Sequence, residues 1–326
     1  MTIDLRTGRS LEYRREDYIT KVAGCPIDRD CQVPLWTNFL DRVTDRDVEL
    51  QRYLQRMAGY CMTGCVREHV LFFLYGGGAN GKGVFLNTLK GVWGDYAVTA
   101  SMDTFLETDN DRHPTELAFL HGARLVIAQE TETGKRWAQA KIQALTGGDD
   151  ITARYMRQDF FTFRPQFKLV IAGNHKPSLS SVDEAIRRRF HLVPFTVTIP
   201  EYERDPELTD KLMAEWPGIL AWAVEGCLQW QEIGLAPPPA VRAATDKYLA
   251  EEDAFIRWID DCCVTGSHHW GAGALLWNSW KQWTQTNSEP TRSRKWFAYE
   301  MEKRGFKPEK SRHVRGYREI DLAGPT

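Results

Sequence analysis

Three short apolar runs without polar alternation lie at residues 71–75, 124–128 and 168–172. Runs of this kind predict strands covered on both faces, as in a parallel sheet. Elsewhere apolar residues recur at helical spacing. Residues 45–62 carry Val48, Leu50, Tyr53, Leu54 and Met57 on one stripe, with Thr63-Gly64 as the stop. Residues 84–92, after the first apolar run, read as a second helix. Pro217 starts a third, whose apolar face is Leu220, Trp222, Val224, Cys227 and Leu228, ended by Gly234. Prolines 237–239 break the chain before a helical run over 240–263, and residues 266–273 read as a linker. Two more helices follow, over 275–283 and 293–304, then strand-like segments at 306–312 and 314–322, the second broken at Gly316. Strands alternating with helices from 66 to about 200 predict an α/β domain. The expected division is a small, mostly helical lead-in (1–65), the α/β core (66–205), a helical extension (206–265) and a separate unit (274–326).

The length, 326 residues, fits about two domains. The N-terminus, Met-Thr-Ile-Asp-Leu-Arg, is not a signal peptide, and no apolar run approaches the ~20 residues of a membrane span. A soluble, cytoplasmic protein without a membrane partner is expected. The seven cysteines include no C-x-x-C pair, so reduced thiols are expected rather than a zinc site. Net charge is −2, but from Lys281 onward eleven Lys/Arg face six Asp/Glu. That asymmetry fits nucleic acid at the C-terminal end, or simply a solvated basic face.

The first apolar run leads into Gly76-Gly77-Gly78-Ala79-Asn80-Gly81-Lys82-Gly83, and a helix opens at Val84. A strand, a glycine-rich loop ending in Gly-Lys and a helix form the arrangement of a phosphate-binding P-loop. Glycines let backbone N–H groups close around a polyphosphate, Lys82 adds a point charge, and the helix N-terminus adds its dipole. ATP is the expected nucleotide, bound by residues 76–84. Gly83 stands where the motif has the Ser or Thr that ligates Mg²⁺. Three readings follow: a chance glycine turn, a loop that binds nucleotide but hydrolyses it poorly, or a working loop whose Mg²⁺ is held by other groups.

The second run ends in Gln129-Glu130-Thr131-Glu132, where a P-loop ATPase needs a carboxylate for the Mg²⁺ shell or the attacking water. Glu130 and Glu132 are the candidates, with Glu130 toward Mg²⁺. The third run ends in Gly173-Asn174, placing an amide for a γ-phosphate or for water. Arg187-Arg188-Arg189 could supply an arginine finger to a neighbouring subunit, or form a basic helix face bridged to Asp183 and Glu184. Between the second and third runs, residues 146–163 read as a turn and a long hairpin. Its tip carries Arg154, Tyr155 and Arg157, suited to the phosphates and bases of a single strand.

The order of these motifs resembles the superfamily 3 helicase module of phage and plasmid primase-helicases, within the AAA+ ATPases. The resemblance is carried by residues 76–83, Gln-Glu-Thr-Glu at 129–132, Leu-Thr-Gly-Gly-Asp at 145–149 and Ala-Arg at 153–154. It continues through 163–168, Ala-Gly-Asn-His-Lys-Pro at 172–177, 183–189 and Val-Pro-Phe at 193–195, and covers nearly the whole chain. It implies a homo-hexameric ring that couples ATP hydrolysis to movement on single-stranded DNA, usually 3′→5′. It implies Lys82 on phosphates, Glu130 as the acidic residue with Glu132 in support, Asn174 as sensor and Arg188 or Arg189 as the finger in trans. It also puts Lys141, Arg154 and Arg157 toward DNA. Family members often carry a primase region upstream. Since this chain starts too near the helicase module for one, a stand-alone helicase or a fragment is expected, with a primase partner possible on another chain.

At the C-terminus, helices followed by a basic hairpin resemble a winged helix, with Arg292, Arg294 and Lys295 at the start of the helix that would read DNA. The tryptophans there are expected in its core. Origin duplex DNA and a docking protein are both candidate partners. The competing reading of the whole chain is a nucleotide-dependent origin-binding initiator or loader that unwinds little.

Overall fold

The computed structural model describes residues 1–108, 115–129, 134–287 and 289–323. The chain divides into two units, Met1–Asp246 and Lys247–Thr326.

The first unit is helical only from Pro34. Before it lie a short hairpin, Thr2–Asp4 against Arg9–Leu11, and a single 3₁₀ turn. The expected helical lead-in is therefore confined to α1 (Pro34–Val43) and α2 (Val48–Met62), because residues 1–33 carry no sustained helical stripe. Asp47 caps α2 by accepting from Leu50 N, and Thr63 ends it. The buried Glu215 carboxylate accepts from Leu35 N and Trp36 N, each at 2.8 Å, satisfying the first turn of α1.

Five strands form one parallel sheet: β1 (Leu71–Tyr75), β2 (Ala97–Thr99), β3 (Leu125–Gln129), β6 (Lys168–Gly173) and β7 (Phe190–Pro194), in the order β2-β3-β6-β1-β7. The hairpin strands β4 (Ile151–Ala153) and β5 (Phe161–Phe163) pair separately between β3 and β6. The three apolar runs are thus the three central strands, and each is buried over nearly its whole length. Helices α3 (Lys82–Trp93), α4 (Gln139–Gly147), α5 (Glu184–Arg187) and α6 (Trp216–Ile233) complete the elements used below. Parallel register pairs Tyr75 with Gly173 and Pro194, and Gln129 with Ala172. The segments after β1, β6 and β7 therefore leave the sheet along one edge, where open α/β sheets place their ligands.

The opposite edge is pinned by two cations, Lys168 buried and Arg124 half-buried. Arg124 donates to Met62 O at 2.8 Å. Lys168 donates to Thr63 O, to Thr63 Oγ1 (3.3 Å), to Cys65 O (3.4 Å) and to Gln166 O (3.3 Å). Both face the carbonyl end of α2, where the helix dipole favours positive charge. Burial, helped by the Arg124 charge, pushes the Lys168 amine down to about 7. An amine near 10.4 when unfolded holds a proton that its folded form sheds above pH 7. Folding is therefore expected to gain stability as pH rises from about 7 toward 10, by at most about 1.4 kcal/mol per pH unit from this group. Cys61, pushed up to about 12 by burial, acts in the opposite sense. The check is the difference between parent and Lys168→Met in urea melts at pH 7, 8 and 9. A pH slope identical in both proteins would refute the assignment.

In the second unit α8 (Ala254–Cys262), capped by Asp253, leads through β8 (Cys263–Ala272) to α9 (Gly273–Thr286) and α10 (Arg294–Lys303), then β9 (Pro308–Ser311) and β10 (Val314–Leu322). The predicted helical run 240–263 is two helices, α7 (Pro239–Glu252) and α8. The expected linker at 266–273 is instead mostly strand: β8 runs to Ala272 and pairs with β10, with a bulge between Thr265 and Trp270. Nor is β10 broken at Gly316, which pairs with Ala272. A side chain there would strike Gly271 O and the Trp270 ring, so glycine permits the crossing. The antiparallel order is β8-β10-β9. Phe255, Trp258, Trp280, Trp283 and Phe297 are buried together, so these tryptophans serve as core, as expected. Among the described residues no helix is long and apolar enough to cross a membrane.

Candidate functional site

The loop from Gly76 to Gly81 turns from β1 into α3. A Cβ on Gly76 would lie 1.9 Å from Phe195 O. Gly81 has φ +84° and lies against Val43 and Phe39, so only glycine suits that turn. Gly77, Gly78 and Gly83 differ, since a side chain at any of them would meet no atom within 4 Å. Their outer side is open, as a backbone cradle for an anion requires. Ala79, at φ +55°, accepts from Ile199 N at 2.8 Å, and Phe195 N donates to Tyr75 O at 2.8 Å. Val84 is half-buried in the first turn of α3.

Lys82 is buried, with its ammonium donating to Gly76 O (2.7 Å), Gly77 O, Asn80 Oδ1 and Asn174 Oδ1 (each 3.1 Å). Burial lowers its pKa. The contact with Asn174 joins residues 92 positions apart and brings the end of β6 to the glycine loop. Tyr75, the last residue of β1, lies under the Lys176 ammonium at 5.5 Å. Glu130 and Glu132 follow β3 and lie outside the described residues.

The arginines after α5 divide. Arg189 is buried and donates to Ala185 O (2.7 Å) and Thr146 Oγ1 (3.3 Å), and burial lowers its pKa. Arg188 is exposed. Asp183 caps α5 by accepting from Ile186 N at 2.8 Å. Lys141 is half-buried on α4, a different element from the β4–β5 hairpin.

At the tip of that hairpin Arg157 is exposed with φ +60°. Tyr155 is not free to swing, since it stacks on Phe161 (5.5 Å, 18°) and donates its hydroxyl to Ala118 O. The Arg154 guanidinium lies 4.8 Å over the Phe160 ring. Sequence reasoning missed Phe119, Met156 and Phe160, three large apolar side chains 58–67% exposed on or beside this hairpin. The Phe160-Phe161 pair beside a polar turn was the available signal.

In the second unit Arg292, Arg294 and Lys295 are exposed around the start of α10, whose first turn is capped by Ser293. A groove between α10 and the β9–β10 hairpin is lined by Arg294, Ala298, Lys310, Arg315 and Tyr317, with Glu302 and Glu309 also on its walls. Lys310, Arg312 and Arg315 are exposed on this hairpin. They were legible only as part of the C-terminal charge excess. Among the described residues no group of three or more His, Cys, Asp or Glu could hold a metal ion.

A family described as of unknown function (DUF5906) matches residues 74–189, from the end of β1 to Arg189. The chain is 25% identical over 272 residues to "Putative helicase L207/L206" of Acanthamoeba polyphaga mimivirus, covering 76% of this chain and 28% of the relative. It is 24% identical over 265 residues to "Putative helicase 022R" of Frog virus 3, covering 74% and 27%. It is also 27% identical over 158 residues to "Primase D5" of Fowlpox virus, covering 47% and 20%. The chain thus spans less than a third of the length of these relatives. The fold resembles a solved structure of the "NrS-1 C terminal region", with a TM-score of 0.56 at 13% identity, over 92% of this chain and 79% of that one. The chain is a distant relative of viral proteins named helicase and primase, with a P-loop-like α/β domain.

Proposed function

We propose that this chain is the ATP-driven motor of a replicative DNA helicase, an AAA+ module of the superfamily 3 type that works as a homo-hexameric ring and moves 3′→5′ on single-stranded DNA. The observation that carries the reading is the 3.1 Å hydrogen bond from Lys82 to Asn174. It joins the glycine loop to the end of the neighbouring strand on the ligand-binding edge of the sheet, where ATP hydrolysis needs its cation and its orienting amide. The open faces of Gly77, Gly78 and Gly83 fit a polyphosphate, and the Lys82 ammonium fits its charge. Backbone N–H groups of residues 76–84 would bind it, Asn174 would orient the attacking water, and Glu130, supported by Glu132, would hold Mg²⁺ and polarise that water. The ion would supply neutralisation of the phosphate charge. Arg188 is the finger offered to the neighbouring subunit. Arg189 holds the α4–α5 region together. Arg154, Tyr155 and Arg157 on the hairpin, with Lys141, are directed to single-stranded DNA, and the exposed Phe160 adds a stacking face.

The test is ATP hydrolysis by the parent chain with and without single-stranded DNA, followed by strand displacement on duplexes with a 3′ or a 5′ tail. Turnover stimulated by DNA, with unwinding from the 3′ tail, is expected. Turnover indifferent to DNA would refute the motor.

Gly83 bears on the metal. Nothing crowds the position, so Gly83→Ser is expected to fold and to gain about 0.5 kcal/mol from helix propensity. Its hydroxyl should lower the Mg²⁺ concentration for half-maximal turnover. Hydrolysis no faster than the parent at limiting Mg²⁺ would sink this account.

A second reading, an origin-binding initiator or loader with little unwinding, is favoured by the exposed cations of the second unit, Arg292, Arg294, Lys295, Lys310, Arg312 and Arg315. The order helix, strand, helix, helix, two-stranded hairpin supports a winged helix. Arg292, Arg294 and Lys295 would then enter the major groove, while Lys310 and Arg315 meet phosphate. Salt-sensitive duplex binding with little unwinding would favour this reading, and a primase on a separate chain is a partner for either.

A further inference from the structure

We infer that the Asn80 side chain is a positioning group, which aims the loop's N–H groups and fastens the loop to the residue after β7 without its amide touching nucleotide. The inference rests on reading residues 76–83 as the nucleotide loop.

Asn80 is 4% exposed. Its amide nitrogen donates to Gly77 O and, at 2.7 Å, to Phe195 O. A side-chain amide has two N–H donors, and both are used. Its oxygen faces the Lys82 ammonium at 3.1 Å. No donor remains for a phosphate, and the remaining acceptor would repel one. The Asn80 side chain therefore belongs to the loop's framework rather than to the set of ligand contacts.

The effect follows from peptide geometry. In a trans peptide the C=O and the next N–H point in opposite directions. Asn80 holds Gly77 O inward, which turns the Gly78 N–H outward. Lys82 does the same to Gly76 O, which turns out the Gly77 N–H. There is room for a ligand beside both residues, since a Cβ built on Gly77 or Gly78 would meet no atom within 4 Å. The second bond, to Phe195 O, ties the loop to the residue directly after β7, the strand that follows Arg188 and Arg189. The contacts from Ile199 N to Ala79 O and from Phe195 N to Tyr75 O complete this clamp.

Asn80→Ala and Asn80→Asp separate positioning from space-filling. Asp has the size of Asn and keeps an acceptor for Lys82, but when ionised it donates to neither carbonyl and adds negative charge beside the loop. The affinity of the full chain for a fluorescent ATP analogue with Mg²⁺ is titrated for the parent, both variants and Lys82→Ala, and KM and kcat for ATP are measured alongside. Both variants are expected to bind at least about tenfold more weakly, Asp more weakly than Ala, with KM rising more than kcat falls. A space-filling Asn80 predicts the reverse order, with Asp restoring what Ala loses. That order, or affinity within about threefold of the parent in either variant, overturns the inference. Should the alanine variant fail to fold, parent-like binding by the aspartate variant still overturns it. A parent that binds no better than Lys82→Ala overturns the nucleotide reading itself, and this inference with it.

Discussion

Replacing Lys82 with alanine is expected to lower ATP turnover by roughly 10²–10³-fold, the loss seen when one pre-organised charge-stabilising donor is removed from a buried site. The ammonium is buried and has four acceptors within 3.1 Å, so it is fixed in place before any ligand arrives. The fold should survive. The loop keeps its ties through Asn80 and Ile199, and the loss of hydrogen bonds to Gly76 O and Gly77 O costs about 1–3 kcal/mol. Steady-state hydrolysis with and without DNA, beside a thermal melt, checks both halves. Turnover within about threefold of the parent would mean that residues 76–83 are a structural turn, and the motor reading would fall with it.

The second large effect separates two adjacent arginines. Arg188→Ala should change stability by less than about 0.5 kcal/mol, because the side chain is exposed, yet reduce turnover by about 10³-fold or more. Arg189→Ala should cost about 2–4 kcal/mol, since it strips two hydrogen bonds from a buried guanidinium site. A finger acting in trans has a further signature. In an equal mixture of Lys82→Ala and Arg188→Ala subunits, half of the loops carry Lys82 and half of those face an intact Arg188, so about a quarter of the parent turnover should return. Two inactive variants that stay inactive when mixed would show that Arg188 does not act across a subunit boundary. An Arg189→Ala protein as stable as the parent would overturn the framework role given to that residue.

Much of this was legible in the chain because each signal was local. A strand buried on both faces must be apolar throughout, so the runs at 71–75, 124–128 and 168–172 marked β1, β3 and β6 to within a residue. The glycine loop was readable because its backbone needs particular residues. The misreadings have a common cause. Gly266-Ser267-His268-His269 resembles a linker by composition, and only pairing with β10 makes its surroundings a strand. Gly316 reads as a strand breaker until Trp270 and Gly271 are seen crossing against it. The choice between Arg188 and Arg189 was likewise closed to sequence, since adjacent residues of one type differ only in which side of the chain end faces the protein.

The sequence by itself determined that this chain has a strand–glycine loop–helix element, a series of apolar strands for a parallel sheet and a basic C-terminal unit, because turn chemistry, burial and charge are written in short windows. Only the tertiary structure decided which distant groups meet: Lys82 with Asn174, Asn80 with Phe195, Glu215 with the start of α1, and Lys168 with the end of α2. Those contacts depend on sheet order and register. A hydrogen bond carries no trace in sequence of the partner that the fold brings within 3 Å, and so the framework around the loop was visible only once the chain was folded.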